Sequence, residues 1–365
     1  MTIFTDDRFF RKIPASIHGG IDMQELSLIG IDPSKVIDFS ANQSPLGPSP
    51  SVVKAMANAI ISCYPDRDAL PLAAAIAEYH NLLPDQVVVG NGSTEIIRLV
   101  AQLALRPGDC AIAPTNTFGE YRIATLLAGA DYHTVGGNTF DDALPAFIPA
   151  IAHLQPRVCW LCLPNNPTGM GAQPSEIATL IHVYPEVIFV LDEAYCDLLS
   201  EPQWQPDLLS RGNLIVLRSM TKSMGLAGLR LGYALGGTSL MNTLRMAKPP
   251  WNVNDCAQKA GIAALADSEH YAKTIAMLRQ EKQKLIDGIT GHGWQVVPSA
   301  AAFFLVYVGN AAVLTRQFLE YGCLVRDCTS FGLPQYIRVS PRYPDQNLQL
   351  LTAFGQLKPW PAKEE

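Results

Sequence analysis

The chain has 365 residues, 48% of them apolar and 16% charged, which excludes a disordered protein and allows one large domain plus a smaller one. Its net charge is −6, from 27 Lys and Arg against 33 Asp and Glu, and no basic run or stripe appears, so nucleic acid is not expected as the main partner. Eight cysteines scattered through apolar segments suit reduced thiols better than a disulfide framework.

The N-terminal stretch "MTIFTDDRFFRKIPASIHGG" carries charges where a signal peptide needs an apolar core. No apolar run reaches the roughly 18 residues a membrane span needs. The expectation is a soluble, cytoplasmic protein with no membrane partner. From about residue 48 to 240, short apolar runs alternate with helical patterns. "QVVVG" (86–90) is followed by a helix with a stripe of Ile96, Ile97, Val100, Leu103 and Leu105. "CAIAP" (110–114), "VCWLCLP" (158–164), "VIFVLDEAY" (187–195), "NLIVLRS" (213–219) and "LGYALGG" (231–237) read as further buried strands. Strands separated by helices imply βαβ units and a mainly parallel sheet covered on both faces. After about 250 a long charged helix (268–289) leads to "AFFLVYV" (302–308) and "YIRVS" (336–340), the pattern of a smaller α+β domain. The expected division is an N-terminal segment 1–47 packing on the small domain and the active site, a large domain 48–250, and a small domain 251–365.

Open parallel sheets bind ligands beyond the carboxyl ends of their strands. Four polar features stand there: "GNGSTE" (90–95), "PNNPTG" (164–169), Asp192 with Tyr195 in "DEAY", and Ser219 with Lys222 in "SMTK", followed by Arg230. Each has an ordinary reading alone: a glycine-rich N-cap, an Asn-Pro turn, a capping aspartate, a solvated lysine. The Cys159–Cys162 pair lies in an apolar β-like run with no second such pair, so no metal site is assigned. Together the four features supply what pyridoxal 5′-phosphate requires. Free amides at a helix N-terminus suit a phosphate. A carboxylate keeps the pyridine nitrogen protonated, a lysine forms the Schiff base, and an arginine pairs with the phosphate.

In this order "GNGSTE … PNNPTG … DEAY … SMTKSMGLAGLRLGY" resembles a fold-type I pyridoxal-phosphate enzyme of the class I/II aminotransferase family, over roughly residues 18 to 355. The resemblance implies an α/β fold: a large domain with a mainly parallel seven-stranded sheet, plus a smaller α+β domain. It also implies roles. Lys222 is the Schiff-base lysine, Asp192 pairs with the ring nitrogen, and Tyr195 and Asn166 contact the ring hydroxyl. Ser219, Arg230 and the amides of Ser93 and Thr94, after Gly92, hold the phosphate, and Phe118 stacks on the ring. Tyr64 in "CYPDRDA" matches a tyrosine that reaches the neighbouring subunit's phosphate, which implies a homodimer; the alternative is a Tyr-Pro turn packed locally. Arg338, supported by Arg326, falls where the family binds a substrate carboxylate or phosphate.

"HGG" (18–20), "DFSANQSPLG" (38–47) and "PPWNVN" (249–254) look like threonine-phosphate decarboxylases; "LGPSP" and "KSMGLAGLRLGY" look like histidinol-phosphate aminotransferases. Both branches usually have Asn-Pro where this chain has Ser44-Pro45, and Ala-Asn-Phe where it has Ala301-Ala302-Phe303. These departures, near the substrate's distal end, imply another small amino acid or derivative. His18 is either a second acid/base or a capping histidine in a turn. The expected function is a biosynthetic aminotransferase acting through Lys222; the alternative is a pyridoxal-phosphate lyase, either a decarboxylase or an elimination/cyclisation enzyme. A non-catalytic regulator of the same fold is disfavoured because Asp192, Lys222 and Arg230 are all present. Neither "GNGSTE" nor "GLAGLRLG" matches the dinucleotide fingerprint.

Overall fold

A computed structural model describes residues 13–14, 17–28, 30–136, 143–199 and 204–359. Most of the N-terminal stretch inspected for a signal peptide therefore lies outside the described residues. The strands, in chain order, are β1 (Ile37–Asp38), β2 (Val87–Gly90), β3 (Cys110–Pro114), β4 (Asp131–Val135), β5 (Val158–Cys162), β6 (Ile188–Asp192), β7 (Leu214–Ser219), β8 (Gly232–Gly236), β9 (Gln295–Val296), β10 (Phe304–Tyr307), β11 (Cys323–Leu324), β12 (Arg326–Asp327) and β13 (Tyr336–Val339).

Seven strands form one sheet in the order β2-β8-β7-β6-β5-β3-β4. The pairs among β7, β6, β5, β3 and β4 are parallel, and β8 runs antiparallel to both of its neighbours. Period-two alternation sends successive side chains to opposite faces. Cys159, Leu161, Phe189, Leu191 and Val216 pack under helices that include Leu70–His80 and Asp255–Ala266. Trp160, Cys162, Val190, Ile215 and Leu217 pack under Ser93–Ala104, Glu120–Leu127 and Thr238–Ala247. Both faces are covered, so the central strands read as unbroken apolar runs. The same alternation puts Cys159 and Cys162 on opposite faces, which prevents the two from gripping a common ligand.

On the large sheet and its flanking helix Ser93–Ala104, two details depart from the sequence reading. β4 has no counterpart there; it is an edge strand, "DYHTV", mostly exposed, and a strand with one neighbour needs no apolar run. Leu103, expected on the buried stripe of its helix, is 44% exposed, and Leu99 is buried in its place.

A four-stranded antiparallel sheet, β12-β13-β10-β9, encloses a second core of Phe304, Val306, Ile337 and Val339 with Leu285, Phe318 and Phe354 from flanking helices. The chain enters this body twice. β1 pairs in parallel with β11, and Phe39 joins the same core. That short ladder brings residues 38–44 alongside the ends of the large sheet.

Candidate active site

A cavity of about 990 Å³ opens where β2, β5, β6 and β7 end. Its floor is set by Asp192, the last residue of β6, which is 2% exposed. Its carboxylate accepts from the Tyr121 hydroxyl at 2.8 Å and from the Ala194 amide at 3.0 Å. Tyr121 is held by stacking on Trp160, with ring centroids 5.4 Å apart and planes 6° from parallel. Burial pushes the Asp192 carboxyl above its ordinary range; the Tyr121 and Ala194 hydrogen bonds and the charge of Lys222 work the other way. Such a carboxylate favours a cationic partner in front of it.

At the end of β2 the chain turns through Gly90–Gly92 into the helix Ser93–Ala104. Gly92 has φ +77°, and a Cβ there would lie 3.2 Å from the Arg230 guanidinium. A Cβ on Gly232 of β8 would lie 2.5 Å from the Ser93 nitrogen. The close approach of backbone to backbone and to arginine needs glycine at both positions. The outcome is a cradle in which free helix-start amides of Ser93 and Thr94 and the Arg230 side chain border one cavity. Glu95 fixes the turn by accepting from the Asn91 amide and from Asn252, each at 2.6 Å.

Lys222 and Ser219 line the same cavity, and the Lys222 amine stands 5.4 Å from the Tyr195 ring centroid. Phe118 forms a wall, edge-on to Tyr121. A buried acid, an amide-and-arginine cradle and an amine on the same cavity match the donor set that pyridoxal 5′-phosphate needs: ring nitrogen, phosphate and aldehyde each have a chemically suited partner.

The opposite side is built from distant segments. Arg326 and Arg338 are directly paired across β12 and β13. Arg338 donates to Asn166 Oδ1 and, at 2.6 Å, to the Ser40 carbonyl, with its guanidinium over the Phe303 ring. Arg326 donates to the Ile17 carbonyl at 2.7 Å and to Ser330 at 2.8 Å. The Nε of each arginine is buried without a hydrogen-bond partner among the described residues. Burial, and for Arg326 the adjacent charge of Arg338, pulls both guanidinium pKa values down.

His18 also borders the cavity, and its Nε2 lies 3.1 Å from Glu120, whose other oxygen accepts from Arg98 at 2.5 Å. The hydrogen bond from His18, with help from Arg98 and against burial, holds the Glu120 carboxyl down at about 2. Glu120, Tyr121 and Arg98 are site residues that sequence reasoning misses. For Glu120 and Tyr121 the signal is the "TFGEY" run after β3, where the residues following Phe118 start a helix and turn inward.

Two expected site residues lie elsewhere. Ser44 is in a separate chamber of about 20 Å³ that also touches Lys222 and Tyr195. Tyr64 is 79% exposed, away from the cavity, and stacked on Trp251 at 4.6 Å. Gly92, Ser93, Thr94, Phe118, Asn166, Asp192, Tyr195, Ser219, Lys222, Arg230, His18, Arg326 and Arg338 all border the main cavity.

The sequence matches the model of the family "Aminotransferase class I and II" over residues 34–354. It is 38% identical over 326 residues to the histidinol-phosphate aminotransferase of Symbiobacterium thermophilum, covering 87% of this chain and 90% of that protein. The fold superposes with a TM-score of 0.81 on the histidinol-phosphate aminotransferase of Sinorhizobium meliloti in complex with pyridoxal 5′-phosphate, at 23% identity and covering 87% and 89% of the two chains. The L-threonine-O-3-phosphate decarboxylase of Porphyromonas gingivalis gives a TM-score of 0.75 at 28% identity, covering 87% and 98%.

Proposed function

The chain belongs to the class I and II aminotransferase family and is a pyridoxal-phosphate-dependent enzyme, and from that premise we propose that it transfers the amino group of a small amino acid or derivative carrying a carboxylate or phosphate. One observation carries the substrate class. Arg326 and Arg338 stand in register on neighbouring strands, both opening on the cavity that holds Lys222 and Asp192. Two buried guanidinium groups with unpaired Nε atoms favour an anionic group between them, since an unpaired buried charge is costly.

When bound, pyridoxal 5′-phosphate supplies an aldehyde for the amino group and a ring that withdraws electrons from Cα. Asp192 would hold the positive charge at the ring nitrogen, and Tyr121 fixes the direction of that carboxylate. Ser93, Thr94, Ser219 and Arg230 would hold the phosphate. Phe118 would wall the ring, and Asn166 and Tyr195 would meet the ring hydroxyl. Lys222 would anchor the cofactor through its amine and serve as the base that moves the proton at Cα. Arg338 and Arg326 clamp the anion and thereby choose the bond at Cα that is broken.

The same reading includes a homodimer. Tyr64, Ile61 and Met246 are 79%, 91% and 82% exposed, and Ile60 and Trp251 add further exposed apolar area. A second copy covering that area would carry Tyr64 toward the neighbouring phosphate cradle.

A mass-spectrometric product screen tests the reaction. Holoenzyme is incubated with amino acids, phosphorylated amino acids, histidinol phosphate and a 2-oxo acid acceptor. Exchange of amine for oxo group, abolished in Lys222→Ala, is expected. Release of carbon dioxide without amino transfer would assign decarboxylation instead. Sedimentation of the holoenzyme as a monomer would remove the dimer.

A further inference from the structure

We propose that the small chamber beside Lys222 is a subsite for one hydrogen-bonding oxygen, held by the hydroxyl of Ser44; this rests on the aminotransferase reading above. The chamber is lined by Ser44, Tyr195, Asp197, Lys222, Ala302 and Ser340, among others. Its volume of about 20 Å³ exceeds the roughly 10–15 Å³ that a single water needs.

Ser44 is 8% exposed, and its Oγ is buried without a hydrogen-bond partner among the described residues. Buried hydroxyls almost always find one. Two of the neighbouring polar groups are already engaged. Asp197 accepts from the Ser223 hydroxyl and, at 2.7 Å, from the Tyr271 hydroxyl; Ser340 is bonded to Asn42. Ser44 therefore offers its hydroxyl to an occupant, with the remaining lone pairs of Asp197 and the Lys222 amine as further partners. A buried oxygen is stable with two to four such contacts.

The chamber exists because two of its walls are short. Ser44 and Ala302 both carry short side chains on its wall, and longer ones there would narrow the space. Lys222 and Tyr195 line both this chamber and the main cavity. An oxygen held there sits next to the amine that moves the proton at Cα. The occupant is either an ordered water or a hydroxyl on the substrate, since both present the same atom to Ser44.

High-resolution crystals of the holoenzyme, wild type and Ser44→Ala, test the subsite directly, alongside kinetics on paired substrates with and without a hydroxyl next to Cα. Expected is an oxygen within hydrogen-bond distance of Ser44 Oγ in the wild type and its loss in Ser44→Ala and in the space-filling Ala302→Asn, with the cofactor absorbance unchanged. If the oxygen is a substrate hydroxyl, Ser44→Ala lowers the kcat/KM preference for the hydroxylated partner about tenfold or more. If it is water, that ratio holds and kcat falls for both partners. A wild-type chamber with no bound oxygen, with or without substrate, together with wild-type kinetics in Ser44→Ala, would overturn the proposal. Failure of the wild type to transfer any amino group would instead sink the functional reading and leave the crystallographic result standing.

Discussion

Along the ends of the seven-stranded sheet, Gly92, Asp192, Ser219 and Lys222 each stand within three residues of a strand terminus. Facing them, Arg326 and Arg338 come from the four-stranded sheet, and His18 and Ser40 from the segment that β1 stitches to β11. The first group inherits its geometry from one body whose parallel register is fixed over five neighbouring strands. The second depends on how separate segments dock. Cofactor affinity and substrate affinity should therefore be separable by substitution.

The largest effect is expected on the docked side. Arg338→Ala removes a buried charge and leaves Asn166 Oδ1 and the Ser40 carbonyl without their donor. Losing one partner of a buried charge-assisted contact costs about 2–5 kcal/mol, so kcat/KM for the amino substrate should fall roughly 30- to 5,000-fold. Cofactor affinity, followed by absorbance titration, should change less than about threefold. An equal loss of cofactor would show that the two sides are one unit.

The converse substitution is Gly232→Ala. Its Cβ would press on the Ser93 nitrogen at 2.5 Å and on the Arg218 carbonyl at 3.0 Å, both backbone atoms with little freedom to yield. Overpacking of this kind costs about 1–3 kcal/mol, which predicts cofactor binding weaker by roughly 5- to 150-fold, with a smaller change in substrate KM. Gly228 borders the same cavity, but a Cβ placed on it would meet no heavy atom within 4 Å, so Gly228→Ala should leave cofactor affinity nearly unchanged. A similar loss in both variants would break the cradle argument.

The same division governs what can be read from the sequence. Gly92, Asp192, Ser219 and Lys222 are legible because the strand that positions each one lies directly before it in the chain, as an apolar run. β4 escapes because its side chains, "DYHTV", are mostly exposed and form no such run. Tyr121 escapes because its partner, Asp192, is 71 residues away and no local pattern joins a helix-start tyrosine to a strand-end acid. Glu120 reads as an ordinary first-turn carboxylate. Arg338 stands out through its apolar strand and family motif, yet its contacts with Ser40 and Asn166 span 298 and 172 residues and follow only from the docking of the two bodies. Ser44 is visible as a departure, and its separate chamber requires the fold.

The smallest effect belongs to the seam. Glu120 begins a helix on the large sheet, while His18 lies on the N-terminal segment, so their contact clasps the two sides together. Only His18 and Arg98, among the described residues, pair with the carboxylate, and they hold it near 2, below its ordinary 4.5. A carboxyl with a depressed folded-state pKa gives stability that is present above about pH 4.5 and is lost as pH falls toward 2. Glu120→Gln removes the titrating group, so thermal melts of the variant should depend less on pH within that window, by a few degrees at most. His18 is half exposed, which limits the strength of the clasp near neutral pH. Glu120→Gln should therefore raise substrate KM only about two- to fivefold at pH 7 and leave cofactor affinity unchanged. A variant with wild-type KM and an unaltered acid limb would mean that His18 rests on Glu120 without fastening the segment, and that the docked side is held by Arg326 and Arg338 alone.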